Sequence, residues 1–385
     1  MEALTDANVA LGVTGSIAAV KTVELAHELR RQGASVRALT TPDATGIIHP
    51  WALEFATERP VVTEITGAVE HVELCGREGW ADVLLIAPAT ANTVGKIAAA
   101  VDDTPVTTAA TTALGAGLPV VIAPAMHEPM YDHPGVIDAL DRLEEWGVQF
   151  VAPHIEEGKA KIASAPAVVA ELARASAPDP LAGRTVVVTA GATTESIDPI
   201  RTLSNRASGR TGRAVARACY ALGADVVVVQ NGPELPWAET EAVESAAEMR
   251  AAVEAHAPMA DAVVSAAAIA DYTVDTAPEK LRSGRGELVV ELEPTPKLID
   301  AVAAEHDLAV VGFKAETGGD DADLIARTRE LQERAGLAFA VGNDASVMGE
   351  SETRAVLVDG AESTWVEGSK AALGRRVAER LAAAL

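Results

Sequence analysis

The chain has 385 residues, with 56 Asp and Glu against 31 Lys and Arg, a formal net charge of −25. That length suggests two or three domains of about 150 residues each, and 49% hydrophobic residues supply ordinary cores, which excludes a disordered acidic chain. So acidic a chain excludes a broad nucleic-acid or anionic-membrane surface, because phosphates would be repelled. Small anionic ligands stay open to it, since helix ends and single lysines bind them.

Only 8 of the basic residues are lysine, and the acids are spread along the chain. Such a surface resembles that of proteins from cells with molar internal salt, a halophile pattern, where the Debye length is only about 3 Å and self-repulsion is screened; a merely acidic protein is the plainer reading. Two cysteines, Cys75 and Cys219, lie far apart, which excludes a disulfide framework and a cysteine-type zinc site. No apolar run reaches about 18 residues without a charge, Gly or Pro, so no membrane span is expected. The opening MEALTDANVALGV lacks the basic start of a secretion signal, and the expected compartment is the reducing cytoplasm.

In chain order, an apolar run at 9–13 leads into Gly15-Ser16, residues 17–32 read as a helix that Gly33 closes, and 35–40 is the next strand. Further strands are expected at 83–87 and 120–123. The stretch 174–183, with two prolines, a glycine and small residues, reads as a linker. A first domain at 1–176, a linker at 177–183 and a second domain at 184–385 follow. The second half repeats the layout: a strand at 185–190, a loop, a helix from about 212 to 221, Gly223, and a strand at 225–230. Strands at 262–266, 309–312, 338–341 and 355–358 come next, and Asp359-Gly360 turns a hairpin into 363–366. Alternating helices and continuous Val/Ile/Leu strands predict an α/β protein: two tandem doubly wound, Rossmann-like parallel-sheet domains. Ligands of such sheets sit at the C-terminal strand ends.

In the first domain, Gly15-Ser16-Ile17-Ala18-Ala19 follows a strand and opens a helix, a place for a single phosphate, although a plain structural turn reads equally well there. Neither G-x-G-x-x-G nor G-x-x-x-x-G-K-[ST] occurs. Polar residues recur after the next strands: Thr40-Thr41-Pro42, Ala87-Pro88-Ala89-Thr90-Ala91-Asn92-Thr93, and Pro124-Ala125-Met126-His127-Glu128-Pro129-Met130-Tyr131. The segment 87–93 resembles the PASANT motif of the homo-oligomeric flavin-containing cysteine decarboxylases, a flavodoxin-like fold. The segment 124–131 is similar to their P-x-M-N-x-x-M-[WY] motif, and His71 matches the position of their active-site histidine. Taken alone, His71 is a solvated loop histidine. The resemblance makes it catalytic, holding or deprotonating substrate, a task suited to imidazole near neutral pH.

The same resemblance implies FMN, held by Gly15, Ser16, Ile17, Thr40, Thr90, Asn92 and Thr93. It implies substrate contacts from Met126, His127, Met130, Lys159 and Lys161, and trimers that share the site and assemble into a dodecamer. Two positions depart from the pattern. His127 stands where many relatives carry Asn, and the stretch 156–163 has no cysteine where the family's substrate clamp has one. That cysteine protonates the enethiol, so Lys159, Lys161, His127 and water are the candidate donors here. Cys75 reads as a small buried apolar residue.

In the second domain, two glycines three apart, Gly209 and Gly212, with a hydroxyl between them, lead into a helix, a second anion site. In isolation a dehydrogenase-like loop is an equal reading, but no acid ends the strand 225–230 to hold an adenosine ribose, which weakens NAD. Ser265-Ala266-Ala267-Ala268-Ile269-Ala270-Asp271-Tyr272, Ala277-Pro278-Glu279-Lys280-Leu281, Val311-Gly312-Phe313-Lys314-Ala315-Glu316-Thr317 and Gly342-Asn343-Asp344 are similar to elements of phosphopantothenate–cysteine ligases, in the family order. That resemblance implies that Asn205 orients an acyl-nucleotide and that Lys280 neutralises charge as the acyl phosphate forms. Ser208, Gly209, Gly212, Ala267, Asp271, Lys280, Phe313 and Asn343 would hold the nucleotide, with CTP as co-substrate and Mg²⁺ or Mn²⁺ on its phosphates; no metal ligand is assigned.

Together the halves resemble the bifunctional coenzyme A biosynthesis family. The expected enzyme joins 4′-phosphopantothenate to cysteine, then decarboxylates the product with FMN; its partners are these small molecules and further copies of itself. An NAD(P)-dependent oxidoreductase and a non-enzymatic flavoprotein regulatory subunit are the alternatives.

Overall fold

The computed structural model describes residues 3–156, 159–282, 287–344 and 352–385. The chain forms two compact units that meet in sequence between Pro178 and Asp179.

In the N-terminal unit, β1 (Asn8–Val13), β2 (Ser35–Thr40), β3 (Val83–Ala89), β4 (Val120–Pro124) and β6 (Gln149–Phe150) form a parallel sheet in the order 2-1-3-4-6. A small antiparallel sheet joins β5 (Met126–His127), β7 (His154–Glu156) and β8 (Lys159–Lys161) in the order 5-8-7. Every residue of β3 and β4 is buried. Leu84, Ile86 and Ile122 pack with Leu74, Val94, Val106 and Leu143 on one face, while the alternate residues Val83, Leu85 and Val121 are equally buried. Burial on both faces is why these strands are continuously apolar and do not alternate.

Local chemistry adjusts two expectations. The helix foreseen over 17–32 divides into a 3₁₀ turn, Ile17–Lys21, and an α-helix, Thr22–Arg31. The Ser16 hydroxyl accepts from Ala18 N at 3.4 Å and Thr22 Oγ1 donates to Ala19 O at 2.6 Å, local bonds that compete with the α-helical ladder. His71 lies in a short helix, Glu70–Cys75, instead of a loop, because Leu74 and Cys75 need its turn to reach the core.

The C-terminal unit has an eight-stranded sheet of β9 (Thr185–Ala190), β12 (Asp225–Gln230), β13 (Glu239–Ala242), β14 (Ala262–Ser265), β17 (Ala309–Glu316), β18 (Phe339–Asp344), β19 (Glu352–Asp359) and β20 (Glu362–Ser369), in the order 13-12-9-14-17-18-19-20. Pairing is parallel as far as β18 and antiparallel across β18, β19 and β20. Two small hairpins, β10 (Thr194–Ser196) with β11 (Thr202–Ser204) and β15 (Tyr272–Thr273) with β16 (Glu293–Pro294), stand beyond its strand ends. Strand β17 runs four residues past its apolar segment. Its ladder with β18 continues through Lys314↔Gly342 to Glu316↔Asp344, where hydrophobicity no longer signals a strand.

Phe339 opens β18 and is fully buried, among the largest such side chains of the protein. Phe339→Ala should destabilise the C-terminal unit by about 3–5 kcal/mol, read as a lower denaturant midpoint for that unit's transition.

Candidate functional sites

In the N-terminal unit the strand ends are tied to one another by their own polar groups. Thr14 Oγ1, just past β1, donates to Pro88 O at 2.7 Å and accepts from Thr90 N at 3.2 Å. Ser16 caps the 3₁₀ turn and donates to Ala125 O at 3.1 Å, and Thr41 N donates to Val13 O at 3.0 Å. The ends of β1, β2, β3 and β4 therefore share one edge. Gly15 lies there so close to Asp43 that an added Cβ would stand 2.5 Å from the Asp43 Cβ. Thr90 caps the helix Ala91–Ala98, bonding Thr93 N at 3.2 Å, with Asn92 exposed in the first turn and Thr93 buried.

Thr40 Oγ1 is buried and has no hydrogen-bond partner. An orphaned hydroxyl at a strand end has lost water without replacement; a phosphorylated, hydroxyl-bearing ligand at this edge would satisfy it. Ile17, which opens the 3₁₀ turn after β1, is 76% exposed, a large apolar side chain left for a ligand or a second chain to cover.

The substrate-side residues meet through backbone pairing. Strand β5 pairs with β8 so that Met126 faces Ala160 and His127 faces Lys159. Met126 is buried, while His127 and Met130 are exposed. The Lys159 side chain lies outside the described residues; Lys161 ends the same strand. His71 is not joined to this cluster by any hydrogen bond among the described residues. Its helix packs on the helix Pro105–Ala116, and His71 Nδ1 is buried without a partner.

In the C-terminal unit a pocket opens where β9, β14, β17 and β18 end. Ser208, Gly209, Gly212, Ala267, Phe313 and Asn343 line it, six positions expected from sequence. Gly209 holds a left-handed backbone, φ +73°, at the start of the helix Arg210–Ala221. Gly212 sets that helix against β9: an added Cβ would stand 2.7 Å from the Ala190 Cβ and 2.8 Å from Thr189 O. Ala267 N donates to Thr189 Oγ1 at 3.2 Å and Ala268 N to Gly191 O at 2.9 Å, which draws the β14 end against the loop. Arg213 fastens the loop from behind, through Ser208 O at 2.7 Å and Gln230 Oε1 at 3.2 Å. Burial and the neighbouring Arg210 charge hold the Arg213 pKa below its ordinary value.

Three more cations line the pocket: Arg210, Lys314 and Lys370. The sequence reading missed all three. Lys314 stands inside the segment 311–317, where a cation beside an expected nucleotide site is the available signal. Lys370 had none, because the β19–β20 hairpin brings it in from beyond every motif.

Two expected residues do not line this pocket. Asp271 is exposed and ion-paired with Lys297, and Lys280 is exposed on the segment after β15. Asn205 stands beside the pocket, donating through Nδ2 to Ala268 O at 3.1 Å. Residues 276–281 are fastened to the β10–β11 hairpin, whose Asp198 carboxylate accepts from Leu281 N at 3.0 Å. Burial alone would raise the Asp198 pKa; the amides of Ile200, Leu281 and Arg201 and the Arg201 guanidinium outweigh it and hold the group at about 2.

Residues 2–176 match the family model described as Flavoprotein, and residues 181–385 match the DNA/pantothenate metabolism flavoprotein C-terminal domain. The chain is 48% identical to the coenzyme A biosynthesis bifunctional protein CoaBC of Thermococcus kodakarensis, over 92% of this chain and 89% of that protein. It is 34% identical to the protein of the same name from Methanocaldococcus jannaschii, over 98% and 94%. Among solved structures it is similar to SpaF, described as an FMN-dependent cysteine decarboxylase, at 32% identity over 45% of this chain and 99% of that one, with a TM-score of 0.41.

Neither cysteine is placed for acid–base work. Both are fully buried, and burial pushes each thiol up to about 12. A thiol reagent at pH 8 should modify neither in the native protein and both after denaturation, and Cys75→Ala should leave CO₂ release within about twofold of the unsubstituted chain, since a fully buried thiol with a raised pKa is closed to substrate and takes no part in proton transfer.

Proposed function

The chain belongs to the family of coenzyme A biosynthesis bifunctional proteins, and we propose how its two units divide and perform that work. It joins 4′-phosphopantothenate to cysteine and decarboxylates the resulting 4′-phosphopantothenoylcysteine to 4′-phosphopantetheine.

The C-terminal unit carries the ligation. The observation that supports this is the cation-lined pocket at the ends of β9, β14, β17 and β18, which suits a nucleoside triphosphate in a chain otherwise strongly acidic. CTP binds there, with its phosphates at the Ser208–Gly212 loop and helix start and its nucleoside against Ala267, Phe313 and Asn343. The phosphopantothenate carboxylate attacks the α-phosphorus, pyrophosphate leaves, and an acyl-cytidylate forms. The cysteine amine then attacks the acyl carbon and CMP leaves. Asn205 orients the acyl-nucleotide, and Lys280 neutralises the charge that develops on it. Asp271 meets the ribose once it has exchanged Lys297 for the ligand. No group of three or more His, Cys, Asp or Glu able to hold a metal gathers among the described residues; a divalent ion would arrive on the triphosphate.

The N-terminal unit carries the decarboxylation. Gly15, Ser16, Ile17, Thr40, Thr90, Asn92 and Thr93 hold FMN, which when bound supplies the reversible hydride acceptance that lets the carboxylate leave as CO₂. His71 holds or deprotonates the substrate beside the reacting cysteine moiety. Met126, His127, Met130 and the β8 lysines enclose the substrate, and Lys159, Lys161, His127 or water returns the proton that a clamp cysteine would otherwise supply. His71 Nδ1 is buried without a hydrogen-bond partner, and Ile17, Val20, Trp51 and Phe55 are largely exposed. Both observations favour a site completed by a second copy in a trimer-based dodecamer.

An NAD(P)-dependent oxidoreductase is disfavoured. Gln230 occupies the strand end where a ribose acid would stand, and both ends of its amide are engaged, with Arg213 and with Pro233 O at 2.6 Å.

His71→Asn should lower CO₂ release from supplied 4′-phosphopantothenoylcysteine by 10² or more, about the worth of a positioned general base, and leave pyrophosphate release unchanged. Unaltered CO₂ release would remove His71 from the site, and ATP serving as well as CTP would remove the cytidylate. Sedimentation and activity should both fall as salt drops from molar to about 0.1 M, where the Debye length grows to about 10 Å. Trp51→Glu with Phe55→Glu should break the oligomer even in molar salt; an intact assembly would place the interface elsewhere.

A further inference from the structure

The position of Lys280 is set by a buried carboxylate that belongs to a different part of the chain. Residues 276–281 carry no regular structure of their own, yet the β10–β11 hairpin holds them at both ends. Before Lys280, Thr276 Oγ1 donates to Ser196 O at 2.7 Å and Ala277 N donates to Ile197 O at 2.9 Å. After it, Leu281 N donates to Asp198 Oδ2 at 3.0 Å, and Leu281 O accepts from Arg201 Nη1 at 2.9 Å.

Asp198 is the centre of this clasp. Its side chain is completely buried, and both oxygens are used: Oδ1 accepts from Ile200 N and Arg201 N, each at 2.8 Å, and Oδ2 accepts from Arg201 Nη1 at 2.5 Å and Leu281 N at 3.0 Å. A buried carboxylate so fully satisfied has little freedom to move. Lys280 itself is exposed on a long flexible stem, so only its backbone anchor can fix where its ammonium reaches.

We propose that Asp198 is a positioning residue for ligation: through Leu281 and Arg201 it holds the backbone beside Lys280, so that the ammonium meets the developing acyl-phosphate charge. The inference rests on the reading of Lys280 given above. Asp198 touches no substrate in this role. It decides a distance, and a misplacement of about 1 Å at a reacting centre costs up to about 10²-fold in rate.

The test is a cycle of Asp198→Asn, Lys280→Gln and the double variant in the full chain. Asparagine keeps the shape but turns an NH₂ toward one pair of donors, so the clasp should open. Asp198→Asn should lower the ligation kcat by about 10- to 100-fold, with KM for CTP and cysteine nearly unchanged, and CO₂ release from supplied 4′-phosphopantothenoylcysteine unaltered. The double variant should be no slower than Lys280→Gln alone, since a positioned group that is absent cannot be misplaced. Wild-type kcat in a folded Asp198→Asn chain, or losses that multiply in the double variant, would overturn the proposal while leaving Lys280 in place. Wild-type ligation by Lys280→Gln would overturn the reading beneath it. If Asp198→Asn unfolds the unit, Thr276→Val decides instead. It removes one hydrogen bond on the other side of Lys280, and the same kcat-specific loss is expected at several-fold; an unchanged kcat there overturns the proposal.

Discussion

Parallel pairing of strands places every C-terminal strand end on one edge of a sheet, and both sites of this chain depend on that constraint. In the N-terminal unit the order 2-1-3-4-6 sets the ends of β1 and β3 side by side, where consecutive helices cross to opposite faces and leave a crevice. Thr14, Ser16 and Thr90 then bind the ends together across it. In the C-terminal unit the ends of β9, β14, β17 and β18 do the same, and Gly212 lets the helix Arg210–Ala221 approach β9 as closely as its backbone allows.

A chain of net charge −25 opposes, at long range, anionic ligands of the kind proposed here. The opposition is local in neither place that matters. Arg210, Lys314 and Lys370 face the C-terminal pocket, and the N-terminal edge offers hydroxyls and helix-start amides, with Asp43 beside Gly15 as an acid there. Glu316, the acid nearest Lys314, is occupied: burial raises its pKa, but Arg327 and Lys314 more than offset that and hold it below its ordinary value, as a carboxylate paired with both. Concentrating cations at strand ends while acids cover the rest is a division that salt reinforces, because screening removes the distant repulsion sooner than the close attraction.

Much of this was legible beforehand for reasons that can be traced. β9 and β12 keep the bounds expected from their valine runs, because strands buried on both faces are written as continuous Val, Leu and Ile. The ligase loop was legible through Gly209 and Gly212, since an anion-binding turn needs residues without side chains at fixed spacing. The last four residues of β17 give no strand signal, because the β18 ladder holds them and burial does not. The helix that holds His71 gives no signal in sequence, since six residues are too few for a periodic pattern, and its turn buries Leu74 and Cys75. Lys370 gave no sign, because nothing near it in sequence belongs to the site.

The sequence by itself determined the two-unit α/β plan, the strands that carry it, and the motifs at their ends, because apolar runs, glycines and hydroxyls act through neighbours a few residues away. Only the tertiary structure decided which of those motifs meet. It placed Lys314 and Lys370 beside the loop at 208–212 and left Lys280 and Asp271 outside the pocket lining, left His71 Nδ1 buried without a partner, and put Asp198 beneath Leu281, eighty-three residues away in sequence. Those juxtapositions depend on sheet order and on buried hydrogen bonds between distant segments, and a linear sequence carries no local signal for either.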